Sequence, residues 1–78
     1  MVEFIVIEKR NGRDSEGHGS RKYRVAPRVG EHINIIDENE KAQVYEVIAV
    51  IHPSEPATYA GDLIVRYVAD DTSFRVSL

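Results

Sequence analysis

Few residues in this 78-residue chain have the types and spacing that chemistry requires. The densest grouping is basic: Lys9, Arg10, Arg13, Arg21, Lys22 and Arg24 lie around Tyr23 in the first third of the chain. Such a cluster could grip phosphates, with the Tyr23 ring stacking on a base. Residues 1–30 hold seven Lys or Arg against four acids, whereas residues 31–78 hold three against nine. The whole chain nevertheless carries a formal charge of −3, and nucleic-acid-binding domains are usually basic. Solvated side chains facing an acidic half therefore explain the cluster better.

Other chemistries find less support. His18, His32 and His52 have no short ligand spacing, although neighbouring strands could set His32 beside His52. Asp37-Glu38-Asn39-Glu40-Lys41 lacks the spaced carboxylates and glycine of a calcium loop. The serines have no G-x-S-x-G setting, and Gly17-His18-Gly19 lacks the strand–loop–helix context of a phosphate cradle. Glu46 interrupts an apolar run. Turned inward it would be a site candidate; turned outward it would pair with Arg66 or Arg75 across a sheet. His52 and Tyr59 are candidate contact residues on a long loop. No catalytic residue, metal ligand or cofactor follows from the spacing.

The elements that would carry these residues are strands. Met1–Glu8 is rich in β-branched and aromatic residues. Lys9–Ser20, with Asn11-Gly12, Gly17 and Gly19, reads as a long loop. Further strands are expected at Arg21–Ala26, Glu31–Ile35, Gln43–His52, Leu63–Val68 and Ser73–Leu78. Turns are expected at Asp37–Lys41 and Asp70-Asp71, and a second long loop at His52–Gly61. No stretch reads as a helix. The inward set predicted from alternation is Phe4, Val6, Tyr23, Val25, Ile33, Ile35, Tyr45, Val47, Ala49, Ile51, Leu63, Val65, Phe74 and Val76.

A chain this short cannot build two full sheets, and an open sheet leaves adhesive edges. The predicted fold is therefore all-β: one domain over residues 1–78, a small SH3-like barrel or a strongly bent antiparallel meander of five to six strands. An OB-type barrel is less apt, because it usually places a helix between its third and fourth strands. Apolar content of 42% and charged content of 29% are ordinary for a globular domain. With no cysteine, stability must come from packing or from partner subunits. No apolar run approaches the ~18 residues of a membrane span, and the acidic, base-poor start MVEFIVIEK is unlike a signal peptide. A cytoplasmic protein is the expectation.

Pro27-Arg28-Val29-Gly30-Glu31, followed by Tyr45-Glu46-Val47-Ile48-Ala49-Val50-Ile51-His52, resembles a pattern of short bacterial and phage-associated proteins. In these a PRVGE opening precedes Y-x-V-x-x-V-x-H. The likeness spans about a third of the chain and implies an SH3-like barrel, in a group with no agreed activity. The functional expectation is a non-enzymatic interaction or assembly module. It would bind a protein partner or its own copy through the Asn11–Ser20 and His52–Gly61 loops. The alternative is a weak nucleic-acid-binding barrel using the basic hairpin. A third reading is an accessory chain whose chemistry resides in a partner.

Overall fold

Three apolar, β-branched stretches become long strands: β1 (Val2–Arg10), β4 (Ala42–Ile51) and β5 (Gly61–Asp70). Two more polar strands, β2 (Asp14–Tyr23) and β3 (His32–Ile36), complete the sheet. The computed structural model describes residues 1–10, 14–55 and 57–78. Strand order is β2-β1-β5-β4-β3. The β1–β2, β3–β4 and β4–β5 pairs are antiparallel, whereas β1 and β5 run parallel. The expected small, strongly bent all-β fold is thus observed, with a mixed sheet where a purely antiparallel meander was predicted.

One face of this sheet holds the core. Phe4, Val6, Val47, Leu63 and Val65 are essentially fully buried, each contributing about 1.5–3 kcal/mol. All five come from the central strands, so the middle of the sheet carries most of the packing. Ile33, Ile35 and Tyr45 join the same cluster, with Tyr23, Val50 and Ala60 packed against it. Curling is required to bury so much on so short a chain. In a flat sheet β2 and β4 would lie three strand spacings, roughly 14 Å, apart. Instead the rings of His18 on β2 and Tyr45 on β4 meet at 5.2 Å. The result is a half-barrel whose open side lies between the two edge strands, β2 and β3.

Bulges decide which residues face inward. Ile5 pairs with Ser20 and Ile7 with Gly17, so β2 carries one extra residue there. Gly19 sits in that bulge at φ 72°, a left-handed conformation suited to glycine. The glycines that read as loop formers are therefore strand residues, and most of the expected Lys9–Ser20 loop is a β-ladder. Asn11, Gly12 and Arg13 of that segment lie outside the described residues. On β4, Ile48 is the extra residue between the Val47–Val65 and Ala49–Ile64 pairs. Inward facing passes from Val47 to Val50, which leaves Ile51 exposed and displaces Ala49 from the predicted core. Val25 is 73% exposed because β2 ends at Tyr23 and the chain leaves the sheet.

The last predicted strand is instead a helix, α1 (Asp71–Ser77). Asp70 caps it, accepting hydrogen bonds from the Ser73 backbone N (2.8 Å) and Ser73 Oγ (2.9 Å). Asp71 in the first turn and Arg75 in the last complement the helix dipole and join at 2.8 Å. This local capping prevails over the alternation of Phe74, Val76 and Leu78, and Val76 is 82% exposed. Phe74 packs its ring 4.8 Å from that of His32. His32 lies on the face opposite Ile33, so α1 packs on the outer side of the sheet, against β4 and β5, where Val44 is also buried, and reaches β3 through Phe74.

Two substitutions test this packing. Gly61 is buried at the start of β5, and a Cβ there would collide with the Ile51 carbonyl oxygen. Gly61→Ala should therefore lower stability by more than about 1 kcal/mol in denaturant titration; an unchanged midpoint would contradict the close approach. The Tyr23 hydroxyl is buried and makes no hydrogen bond among the described residues. Tyr23→Phe should leave stability unchanged or raise it by about 1 kcal/mol, whereas a clear loss would reveal a partner for that hydroxyl.

Candidate functional site

Glu8 is a charged residue in the interior, 4% exposed, on the face that Phe4 and Val6 fill earlier in β1. Its position directly opposite Glu16 on β2 places two carboxylates side by side, an unfavourable cross-strand pair. Arg10 offsets the repulsion. Its Nε donates to Glu8 Oε2 at 3.0 Å, and its Nη2 bonds Glu16 Oε2. His18 Nε2 lies 2.8 Å from Glu8 Oε1 and 3.8 Å from Glu16 Oε2. The β2 bulge produces this arrangement. Strict alternation back from Tyr23 would turn Gly17 and Gly19 inward and His18 outward; the extra residue reverses that parity and brings His18 beside Glu8.

Aromatic side chains wall the cluster. His18 leans on Tyr45 at 58°, and Tyr45 meets Tyr67 edge-on at 5.7 Å. The Tyr67 hydroxyl donates to Gln43 Oε1 at 3.2 Å. Together these residues line an open cleft of about 1000 Å³ on the open side of the half-barrel, bounded on the far side by Ile35 and Ile36. Its charges balance: Lys9, Arg10, Arg21 and Arg66 against Glu8, Glu16, Asp37 and Glu38.

Electrostatics follow from these contacts. Burial by itself would raise the Glu8 carboxyl, but hydrogen bonds from Arg10 and His18, with their charges, outweigh it and hold the group below its ordinary range. Burial raises the Tyr45 hydroxyl, and the charges of Glu8 and Glu16 raise it further. Glu8 beside it keeps the Arg10 guanidinium firmly protonated. Asp37 is lowered by accepting backbone hydrogen bonds, first from Lys41 and also from Asn39. Glu8, Glu16 and His18 each point one potential ligand atom into a space where all three atoms lie within 4.8 Å of one another.

The residues singled out from sequence are scattered. Lys9, Arg10 and Arg21 line the cleft, but Arg10 is held by Glu8 and Glu16. Lys22 stands opposite Glu3 on the outer face. Arg24 borders a second groove of about 740 Å³, beside α1. Tyr23 packs on the core with its hydroxyl buried, and Arg13 lies outside the described residues. His52 and Tyr59 lie in the β4–β5 loop, which the Ala60 N to Glu3 O hydrogen bond (2.7 Å) ties to the start of β1. Arg10, the last described β1 residue of the β1–β2 hairpin, is at the other end of that strand, whereas Ser20 lies opposite Ile5, nearer the β4–β5 loop. His32 pairs with Glu46, six residues before His52 on β4, which keeps the two histidines roughly 20 Å apart. Glu46 faces outward in an ion pair with Arg66, directly across the sheet, while Arg75 pairs with Asp71.

Neither Glu8 nor Glu16 stood out in the sequence, where a carboxylate at a strand end reads as solvated. The one available signal was their partnership with His18 across a glycine-rich strand. No protein-family model, curated protein or solved structure matches this chain. The functional reading rests on geometry.

Because Glu8 is held below its ordinary value, the stability it confers is complete above about pH 4.3, the unperturbed glutamate value, and is lost as pH falls through the lowered one. Thermal melts from about pH 5 down to pH 2 should show a steeper fall for the wild type than for Glu8→Gln. That variant keeps an acceptor for Arg10 but does not titrate. Parallel curves would refute the assignment.

Proposed function

We propose that this protein is a non-enzymatic interaction module that receives an extended segment of a partner protein along the open side of its half-barrel. The observation that carries the reading is the cleft itself, which opens between two strand edges left unpaired among the described residues. An extended segment can add to such an edge through its backbone, while pockets for alternate side chains supply selectivity. The walls suit a peptide of mixed character. Ile36, 61% exposed, and Tyr67, 48% exposed, offer apolar contacts, and the matched cations and carboxylates favour a neutral or zwitterionic segment over a polyanion. This balance, and the inward packing of Tyr23, favour a protein partner over nucleic acid.

A peptide library displayed on phage tests the reading. Selected peptides should shift the amide resonances of His32–Ile36 and Tyr67. Ile36→Asp should weaken their binding at least about tenfold, near 1.4 kcal/mol, with an unchanged circular dichroism spectrum. Peptides that shift only the β4–β5 loop would overturn the proposal. So would preferential, steeply salt-dependent capture of an oligonucleotide. Light scattering across a concentration series distinguishes a second copy of the chain from another protein as the source of the segment, since a strict monomer rules out self-recognition.

A further inference from the structure

We infer that Glu8, Glu16 and His18 form a binding site for a single divalent transition-metal ion of the zinc class. Three observations converge on it. Two carboxylates are set directly opposite each other, one of them buried, an arrangement that favours a cation between them, a place Arg10 takes in the metal-free protein. The bulge at Gly19 turns His18 inward to the same point, and bulges commonly re-aim a side chain beside a functional site. The donor atoms are also close to coordination distances.

Ligands about 2.1 Å from a tetrahedral zinc lie about 3.4 Å from one another. His18 Nε2 stands 2.8 Å and 3.8 Å from the two carboxylate oxygens, and all three atoms lie within 4.8 Å of one another, so side-chain adjustment without backbone movement would seat an ion. Glu8 is ionised and accepts only, so His18 Nε2 donates to it in the metal-free protein. The ion would take the place of that hydrogen.

Arg10 does not need to leave the site. Its Nε bonds Glu8 Oε2, the oxygen turned away from His18, and it can remain there as the outer partner that orients a ligating carboxylate. The Nη2 bonds to Glu16 Oε2 and, at 3.4 Å, to Glu8 Oε1 must give way. An imidazole with two carboxylates selects zinc, cobalt or manganese over calcium and magnesium, which prefer more numerous, all-oxygen ligands. Three protein ligands leave a coordination position facing the cleft, the arrangement of sites that bind a further group. The inference goes beyond the peptide reading and does not depend on it.

Cobalt(II) serves as the spectroscopic probe and zinc as the binding probe, each titrated into the intact chain. One equivalent of cobalt should produce visible d–d absorption that zinc abolishes, and zinc should raise Tm where magnesium and calcium do not. His18→Ala and Glu16→Gln should each weaken binding at least about tenfold, while His32→Ala and His52→Ala leave it unchanged. Glu16 is exposed, so Glu16→Gln keeps the test valid if a Glu8 substitution unfolds the protein. The inference fails if zinc produces neither a Tm shift nor displacement of cobalt, or if binding persists in His18→Ala. It also fails if binding is lost with His52.

Discussion

The parallel ladder between β1 and β5 is the contact on which the rest of the molecule depends. It runs from Phe4–Gly61 to Glu8–Val65 and is the strand ladder that joins the β1–β2 hairpin to the β3–β4–β5 meander. A two-stranded hairpin is at best marginally stable alone, and the fully buried Phe4 and Val6 on one side of the ladder meet Leu63 and Val65 on the other. Forming it requires the β4–β5 loop to reach back to the start of β1, which explains both the bond to Glu3 and the intolerance of a side chain at Gly61. With β1 and β5 at the centre, β2 and β3 must be the edges. The cleft between them follows from that placement.

Within this frame, strand parity decides the chemistry. A sheet offers only two faces, so one inserted residue sends every later side chain to the other face. The insertion at Gly19 brings His18 into contact with Glu8, and the insertion at Ile48 ends the inward run of β4 at Val50. Burying Glu8 carries a desolvation cost that Arg10 and His18 must offset, and such clusters are weak contributors to net stability. An apolar residue at position 8 would continue the core begun by Phe4 and Val6. A carboxylate there, opposite another, is what the inferred cation site requires.

Both proposals therefore concern the open side of the half-barrel. Two unpaired edges, two exposed apolar side chains and a charge-balanced cleft suit an extended polypeptide, while the acidic pair with His18 suits a cation at the hairpin end of the same cleft. Among the described residues no helix is long and apolar enough to cross a membrane. The basic residues that dominate the first third of the chain are divided between the cleft, the outer face and the groove by α1. Among the described residues, then, the basic side chains are spread over more than one surface.

Composition and periodicity alone determined the all-β class, the strong bend, the long strands at β1, β4 and β5, and most of the buried set: Phe4, Val6, Ile33, Ile35, Tyr45, Val47, Leu63 and Val65. These are consequences of β-branched content and two-residue alternation, which are local properties that any window of sequence expresses. The outward facing of Glu46 was legible, because a lone charge in an apolar strand has few alternatives, but the choice between solvent, Arg66 and Arg75 was made by strand register. The C-terminal helix was written in Asp70, Asp71 and Ser73, but the alternation of Phe74, Val76 and Leu78 obscured it. Only the tertiary structure decided that β1 pairs with β5 in parallel, that Gly17 and Gly19 lie in a strand, and that Glu8, Arg10, Glu16 and His18 converge. Register and bulge position depend on which strands become neighbours, and that is settled by packing between distant segments rather than by the preference of any one of them.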